Sequence, residues 1–231
     1  LKAKLDAGRS LLYATSRYVD VYKALEDIAR ERKLTPEERA ECKEFSRLAD
    51  AFTPLAKGIN SEYANQNAYD CIQVHGGSGF MLEYACQRLY RDARITSIYE
   101  GTTQLQTVAA IRYITNGFYG QVIAKMEQEE TAEEFAALRD VAKTMAAKYN
   151  ECVAKVNAAE NDDYKAFCSR HLYEMAASTI MSNLLVGDAS KAPELFGKSA
   201  RVYTRFAMAE VEKHYLFIMS ATADDLSDYR K

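Results

Sequence analysis

The sequence predicts an all-α protein made of two successive helical units, each resembling a bundle, and three observations support this fold class. Apolar residues recur at spacings of three, four and seven through most of the chain, which is the pattern of helices that bury one face. The 231 residues include only 10 Gly and 3 Pro, which favours few turns and long elements. The alternation of apolar and polar residues that is typical of a strand is not found.

The first unit is predicted to cover residues 1–118 and the second residues 119–231, because the character of the sequence changes after residue 118. The first helix is predicted over residues 1–31, where large apolar side chains fall on one helical face. The chain opens directly in this helical pattern and without Met. We therefore expect a fragment or domain whose first partner elements are missing.

A second long helix is predicted to begin at residues 35–38, whose sequence is TPEE. The motif offers an N-cap threonine, a proline at the first helical position and a glutamate that completes a capping box. The helix should run toward His75, with a kink or a short break near 53–58, where a proline and a glycine fall inside it. The glycine pair at 76–77 should then end it.

The rest of the first unit is predicted to be shorter and less regular. A loop is expected at 78–82 and an arginine-rich helix at 83–94. Residues 95–101 do not hold a helical period. The threonine pair at 102–103 should cap a further helix that runs to about Thr115.

The second unit is predicted to contain four helices, at about 119–127, 131–158, 161–187 and 194–220. Two of them have clear start signals. The sequence TAEE at 131–134 has the form of a second capping box, and NDD at 161–163 provides residues that cap helix N-termini.

Charge and cysteine usage exclude several classes of function. The formal net charge is −3 and basic residues are interleaved with acidic ones, so no basic stripe predicts nucleic-acid binding. No apolar run approaches the roughly 20 residues that a membrane-spanning helix needs, so no membrane insertion is expected. The five cysteines are odd in number and include no CxxC pair, which favours reduced thiols in the cytoplasm and argues against a disulfide framework or a zinc site. The three histidines are too scattered to suggest a metal cluster.

Two motifs in the first unit are compatible with phosphate binding, although each has a simpler structural explanation. The motif QVHGGSGF at 73–80 is glycine-rich, but no strand precedes it and no GK[ST] follows, so by itself it indicates a helix stop and a turn. The motif RLYRDAR places Arg88, Arg91 and Arg94 on one helix face. Such a set usually forms a solvated or salt-bridged face, and phosphate binding is the weaker alternative.

The third motif, ITSIYEGTTQLQ at 95–106, contains Glu100 at the point where the helical pattern breaks. A surface glutamate before a helix is common, because a carboxylate is stabilised at the positive end of the helix dipole. The alternative is a general base that removes a proton from carbon. Gly101 beside it would leave space for a substrate and free a backbone N–H. The position of Glu100 alone favours the surface charge.

Taken together, the ordered motifs QVHGGSGF, EY, RLYRDARI and IYEGTTQLQ, at these spacings, resemble the C-terminal part of acyl-CoA dehydrogenases. The resemblance is dense over residues 73–114 and looser back to residue 1, which would fall in the second helix of the family's C-terminal bundle, with the first helix missing. The segment TPLAKG at 53–58 is similar to a larger branch of the family with an extra C-terminal helical domain. Residues 119–231 would be that domain.

The resemblance implies an FAD-dependent oxidation of an acyl-CoA thioester to the trans-2-enoyl-CoA, with Glu100 removing the α-proton and flavin N5 accepting the β-hydride. Electron-transfer flavoprotein is the implied electron acceptor. Tyr99 and Gly101 would contact the substrate. Thr102 and Gln104 would contact FAD, and Gln73, Gly76 and Gly77 would reach the adenosine-diphosphate end of an FAD bound mainly to a neighbouring subunit.

The resemblance also implies self-association into a homodimer or homotetramer. The family's N-terminal helical domain and β-barrel are not present in these 231 residues. The isolated chain is therefore expected to be inactive and not to hold FAD tightly. The alternative hypothesis is a non-catalytic helical oligomerisation module derived from the same family.

Overall fold

The computed structural model describes residues 1–229, and within that range every regular element is helical, which confirms the all-α fold class. Ten α-helices follow one another between residues 1 and 229: α1 Lys2–Glu31, α2 Pro36–His75, α3 Gly77–Phe80, α4 Ala85–Ile95, α5 Thr103–Thr115, α6 Phe118–Met126, α7 Ala136–Ala158, α8 Asp162–Lys191, α9 Pro193–Ser220 and α10 Asp224–Tyr229. None of the helices in this range combines the length and the apolar character needed to cross a membrane. The last two residues of the predicted second unit, 230–231, lie outside the described range.

The local start signals of three helices act as predicted. At α2, the Thr35 hydroxyl accepts a hydrogen bond from the Glu38 N–H at 3.2 Å, and the Glu38 carboxylate accepts one from the Thr35 N–H at 2.8 Å. Thr102 caps α5 by accepting from the N–H of Leu105. Asn161 caps α8 by accepting from the N–H of Tyr164. Each cap satisfies a backbone donor that has no partner inside its own helix.

The short break proposed as an alternative near residues 53–58 is absent, because α2 continues through Pro54 without interruption. A proline inside a helix removes one hydrogen bond and costs about 3 kcal/mol. The cost is offset by burial, since Phe52, Pro54 and Leu55 all lie in the core. The hydroxyl of the buried Tyr173 also donates to the carbonyl oxygen of Pro54 at 2.9 Å.

Three other expectations about local structure are wrong. The loop predicted at 78–82 is partly the short helix α3. Thr131 does not cap a helix, because its hydroxyl accepts from the guanidinium of the buried Arg139, and residues 133–135 form a 3₁₀ turn before α7 begins. Helix α8 does not end near Gly187 but continues to Lys191, where it remains packed inside the protein.

A continuous hydrophobic core joins the helices of both predicted units. Helix α8 is the most buried element and packs against α1, α5, α7 and α9. Tyrosine hydroxyls add hydrogen bonds between packed helices. Tyr119 of α6 donates to the carbonyl of Ala51 in α2 at 2.6 Å, and Tyr63 of α2 and Tyr203 of α9 share a hydrogen bond of 3.0 Å. The first two long helices are therefore held in place by the second half of the chain, and they provide the support on which the candidate site rests.

Two histidines that are 43 residues apart in the chain meet between α8 and α9. The Nδ1 atoms of His171 and His214 lie 2.8 Å apart, and the Phe217 ring stacks on His171 with the ring centroids 3.9 Å apart. Burial lowers the pKa of His214 to about 3, with smaller contributions from Lys213 and His171. Burial also lowers the pKa of His171.

We expect the free energy of unfolding to fall as the pH drops from 6.5 toward 3. The unfolded chain binds a proton at each histidine near pH 6.5, whereas folded His214 binds one only near pH 3. Because the unfolded state then binds more protons, acid destabilises the fold, by about 1 to 2 kcal/mol at pH 5 relative to pH 7. Urea unfolding at the two pH values measures the loss.

The exposed His75 provides the control for this pH dependence. With the chain stripped of metal by a chelator, His75→Gln should keep the difference between pH 7 and pH 5, and His214→Gln should reduce it. An undiminished difference in His214→Gln would assign the acid sensitivity to other groups.

Candidate active site on the turn between two helices

Glu100 lies on a tight turn, residues 96–102, that connects α4 to α5. The N–H groups of Ile98 and Tyr99 donate back to the carbonyl of Ile95, and the Thr103 N–H donates to Ser97 across the turn. Glu100 has a φ of 51° and is the only non-glycine residue with positive φ in the described range. This backbone conformation costs about 1 to 3 kcal/mol for a non-glycine residue, and such strain is often found at functional sites.

At Glu100 and Gly101, the backbone N–H groups are free within the described part of the chain, while the backbone carbonyl groups accept hydrogen bonds from side chains. Gly101 follows Glu100 with a φ of 91°, so two successive residues have positive φ. Among residues 1–229, the N–H groups of Glu100 and Gly101 have no hydrogen-bond acceptor. The Glu100 side chain is exposed. The turn therefore presents one carboxylate and two free N–H donors from the same short segment.

Two side chains that the sequence analysis did not single out hold the carbonyl side of this turn. Lys57 on α2 donates from Nζ to the carbonyl of Gly101, and its Nζ also lies 5.9 Å from the ring centroid of Tyr99. Gln106 on α5 donates from Nε2 to the carbonyls of Glu100 and Gly101, each at 3.3 Å. Both residues lie within motifs that the sequence analysis quotes, Lys57 in TPLAKG and Gln106 in ITSIYEGTTQLQ. The sequence does not show which groups they contact, because those contacts depend on the fold.

Glu100 and Tyr99 stand at one wall of a cleft of about 450 Å³. The other wall is formed by α1 and α2, so the cleft lies where the turn approaches the first two long helices. Its lining is largely apolar or hydroxylic and includes Leu12, Thr15, Thr53, Ala56 and Ala64. A carboxylate beside an open, mostly apolar cleft can approach a C–H group of a bound ligand.

The start of α5 is the second part of this site. Thr102 is the N-cap, and the first turn of α5 contains no acidic residue. Thr102 and Gln104 are exposed, whereas Thr103 is buried and donates to the carboxylate of Glu62 on α2. The positive end of the helix dipole favours an anion beside Thr102 and Gln104, and the Glu62 carboxylate at Thr103 already compensates part of that charge.

The motif QVHGGSGF lies at the other end of α2. Gly76 has a φ of 59°, and a Cβ atom at Gly76 or at Gly77 would meet no atom within 4 Å. Gln73 is exposed beside them. Since Lys57 contacts the turn and a helix rises 1.5 Å per residue, Gln73 lies about 24 Å along α2 from the Glu100 turn. The structure thus brings Tyr99, Glu100, Gly101, Thr102 and Gln104 together and leaves Gln73, Gly76 and Gly77 apart from them.

The arginines of α4 form the exposed face that the sequence indicated. Arg88, Arg91 and Arg94 are all exposed, and only Arg94 takes part in the turn, by donating to the hydroxyl of Ser97. A different cluster was missed. Cys71, His75 and Cys86 bring their ligand-forming atoms within 4.8 Å of one another, a grouping that the scattered positions of the histidines do not predict.

We expect Lys57→Met to loosen the turn. The methionine keeps most of the apolar stem but cannot donate to the carbonyl of Gly101, and a hydrogen bond from a charged donor contributes about 1.5 to 3 kcal/mol. Amide hydrogen exchange at residues 98, 99 and 103, whose N–H groups are hydrogen-bonded within the turn, should accelerate by roughly 10-fold. Lys43→Met on the same helix is the control, since Lys43 is exposed and makes none of these contacts. Equal exchange in the two variants would exclude Lys57 as an anchor of the turn.

Two family profiles match consecutive parts of the chain. The family described as acyl-CoA dehydrogenase, C-terminal domain, matches residues 28–114. The family described as acyl-CoA dehydrogenase C terminal matches residues 115–226. The turn with Glu100 and the motif QVHGGSGF both fall within the first match.

Curated relatives from bacteria carry related sequence. The 3-methylmercaptopropionyl-CoA dehydrogenase of Ruegeria pomeroyi is 38% identical over 107 residues, which is 46% of this chain and 16% of that protein. The butyryl-CoA dehydrogenase of Syntrophomonas wolfei is 30% identical over 199 residues, which is 80% of this chain and 30% of that protein. The matched region therefore makes up less than a third of either relative.

The fold is also found in a solved structure. An acyl-CoA dehydrogenase from Bacillus anthracis, determined in complex with FAD, superimposes with a TM-score of 0.70 at 21% identity, covering 97% of this chain and 42% of that chain. This likeness supports the arrangement of the helices. The two family matches, which together span residues 28–226, show that the chain belongs to the acyl-CoA dehydrogenase family, of which it carries the C-terminal helical domain followed by the extra C-terminal domain.

Proposed function

We propose that this chain supplies the catalytic base and part of the FAD site of an acyl-CoA dehydrogenase, in which Glu100 removes the α-proton of an acyl-CoA thioester. The observation that carries the proposal is the position of Glu100 on a strained turn, beside a cleft of about 450 Å³ and next to two free backbone N–H groups. A glutamate that only carried surface charge would need neither an unfavourable φ nor the hydrogen bonds that Lys57 and Gln106 donate to the backbone of the turn.

The chemistry needs a base close to carbon and a donor close to the thioester oxygen. The N–H of Glu100 or Gly101 would donate to that oxygen and stabilise the negative charge that develops when the α-proton leaves. The Glu100 carboxylate would take the proton, and Tyr99 would pack against the acyl chain in the cleft. Positioning of this kind contributes much of the rate, because the reacting groups are held together before the reaction.

The residues present fit a flavin dinucleotide. The start of α5 carries no acidic residue in its first turn, so it suits a pyrophosphate, and the exposed Thr102 and Gln104 would bind there. Gly76 and Gly77 have open space above their backbone, which lets a ligand approach closely, and Gln73 beside them would bind the adenosine-diphosphate end. FAD, when bound, supplies the acceptor for the β-hydride.

The distance between these two groups supports a homo-oligomer. Gln73, Gly76 and Gly77 lie about 24 Å along α2 from the Glu100 turn. We propose that they bind the FAD of a neighbouring subunit, while Thr102 and Gln104 bind the FAD that serves Glu100. A homodimer or homotetramer would then complete each site. Electron-transfer flavoprotein is the proposed acceptor of the electrons.

We assign turnover to the longer protein and not to the 231 residues alone. Glu100 is exposed in this chain, and a carboxylate in water cannot deprotonate a carbon next to a thioester at a useful rate. The isolated chain is proposed not to retain FAD tightly. A stoichiometric flavin spectrum in the purified 231-residue chain would contradict this inference.

A second candidate, a non-catalytic helical module for subunit assembly, is favoured by one observation. The side chains of Val74, Phe80 and Leu82 around the glycine turn are 74%, 79% and 83% exposed, which is unusual for large apolar residues in a cluster. Anaerobic mixing of the FAD-loaded full-length protein with a panel of saturated acyl-CoA thioesters separates the candidates. Bleaching of the flavin by at least one thioester supports the dehydrogenase, and a bound but unreduced flavin with every thioester supports the module.

A further inference from the structure

A cluster of two thiols and an imidazole lies where the C-terminal end of α2 meets the start of α4. Cys71 and His75 are four residues apart, so they fall on the same face of the last turns of α2. Cys86 is the second residue of α4 and faces them across the short helix α3. Cys86 is buried, Cys71 is half-buried and His75 is exposed, so the cluster can be reached from solvent at one edge.

We propose that Cys71, His75 and Cys86 form a zinc-binding site with one open coordination position. The argument begins with distances. Cys71 Sγ lies 3.8 Å from Cys86 Sγ and 3.8 Å from His75 Nδ1. Tetrahedral zinc with Zn–S bonds of about 2.3 Å and a Zn–N bond of about 2.05 Å places two sulfurs about 3.8 Å apart and a sulfur and nitrogen about 3.6 Å apart. Both pairs that include Cys71 therefore already lie close to the spacing of a zinc tetrahedron, and the third pair, Cys86 with His75, lies within 4.8 Å and closes on the metal by a small side-chain adjustment.

The donor set selects the class of metal. Two thiolates and an imidazole suit a borderline-soft ion such as Zn²⁺ and disfavour Mg²⁺ and Ca²⁺, which prefer oxygen. His75 Nδ1 also lies 2.8 Å from the carbonyl oxygen of Cys71. Ligation through Nδ1 exchanges that hydrogen bond for a metal bond, and water at this exposed edge can then bond to the carbonyl. Water would also occupy the fourth position.

Binding would tie two helices together across the glycine turn. Cys71 and Cys86 are separated by 15 residues, and the segment between them contains α3 and the positive-φ residue Gly76. A metal held at both ends restricts that segment in the folded chain, and because the site does not exist in the unfolded chain, the free energy of metal binding adds to the stability of the fold. The zinc site would thus order the turn that carries Gly76 and Gly77 without using either residue as a ligand.

The test uses the 231-residue chain, stripped of metal and kept reduced with a phosphine, and Co²⁺ as the spectroscopic probe. We expect one cobalt per chain with the visible bands of a tetrahedral thiolate complex, and we expect one equivalent of Zn²⁺ to abolish them. Cys71→Ser and His75→Ala should each weaken the affinity at least about 100-fold, since loss of an outer-shell partner already costs about 10- to 100-fold. Cys42→Ser, a half-buried thiol on the same helix, should leave the affinity unchanged.

Two results would overturn the site. The first is a cobalt spectrum with only the weak bands of an octahedral complex. The second is the same affinity in Cys71→Ser as in Cys42→Ser, with both variants folded by circular dichroism. Cys86 is buried and its replacement can unfold the chain, so the partly exposed ligands Cys71 and His75 carry the test.

Discussion

Glu100→Gln is expected to lower the rate of flavin reduction by acyl-CoA by about 100- to 10,000-fold in the FAD-loaded full-length protein, which is the usual contribution of a general base. The amide has nearly the size and shape of the carboxylate but cannot accept the α-proton. Glutamine tolerates a φ of 51° about as well as glutamate does, so the turn should keep its conformation. Anaerobic stopped-flow absorbance of the flavin measures the rate.

FAD content separates loss of the base from loss of the site. Glu100 is not among the residues proposed to bind FAD, so the variant should retain a full complement of flavin. Glu83→Gln is the matched control, because Glu83 is another exposed carboxylate in the same domain and makes no contact with the turn. Reduction of the Glu100→Gln flavin at the parent rate would place the base on another residue.

Glu100→Asp provides a graded version of the same test. The shorter side chain keeps the carboxylate but withdraws it by one methylene group, and a misplacement of about 1 Å in a reacting group costs roughly 100-fold. We therefore expect a rate between those of the parent and of Glu100→Gln. A parent-like rate in Glu100→Asp would mean that the carboxylate does not need to approach the substrate closely.

The elements that sequence predicts well are those fixed by contacts within a few residues. The capping residues Thr35, Thr102 and Asn161 each bond to an N–H three residues ahead, so the signal and its partner lie in the same short window. Thr131 has the same local pattern and does not cap. Its hydroxyl is instead taken by the buried Arg139, whose guanidinium must find acceptors inside the protein, and that demand outweighs a local preference.

The candidate site, too, is predicted from the sequence only where it depends on local residues. The position of Glu100, at a break between two helices, follows from the sequence pattern. The cleft beside it does not, because its other wall is made by α1 and α2, whose relative placement depends on packing against α8 and α9. The pair His171–His214 is hidden for the same reason, since helix packing brings the two residues together. Cys71 and His75 share a helix face by their spacing in α2, but packing alone brings Cys86 to them.

Gly58→Ala is expected to lower the free energy of unfolding by about 1 to 3 kcal/mol, the range for an overpacked core. A Cβ atom at Gly58 would lie 2.1 Å from the hydroxyl oxygen of Tyr173 and 3.3 Å from Cβ of Gln106. Tyr173 is fully buried and cannot swing away without losing its hydrogen bond to the carbonyl of Pro54. Urea unfolding of the 231-residue chain measures the change.

Gly187→Ala is the matched control for this substitution. Gly187 is also buried within a helix, but a Cβ atom there would make only an ordinary contact, 3.7 Å from the carboxylate of Glu129. Because alanine favours a helix over glycine by about 1 kcal/mol, this change should be neutral or stabilising. If Gly58→Ala were as well tolerated as Gly187→Ala, the close approach of α2 and α8 would not be a constraint on the fold.

A double-mutant cycle with Tyr173→Phe shows whether the hydroxyl is the obstacle. Tyr173→Phe alone should cost about 1 kcal/mol, because the carbonyl of Pro54 loses its donor. In that background, the nearest atom to the new Cβ is the ring carbon at 3.2 Å instead of the oxygen at 2.1 Å, so Gly58→Ala should cost less by about 1 to 2 kcal/mol. If the two changes in the free energy of unfolding were strictly additive, the Tyr173 hydroxyl would not be the group that obstructs a side chain at Gly58. A coupling of the expected sign would mean that α8, from the extra C-terminal domain, fixes the position of α2 next to Lys57 and Gln106, and thereby supports the turn that carries Glu100.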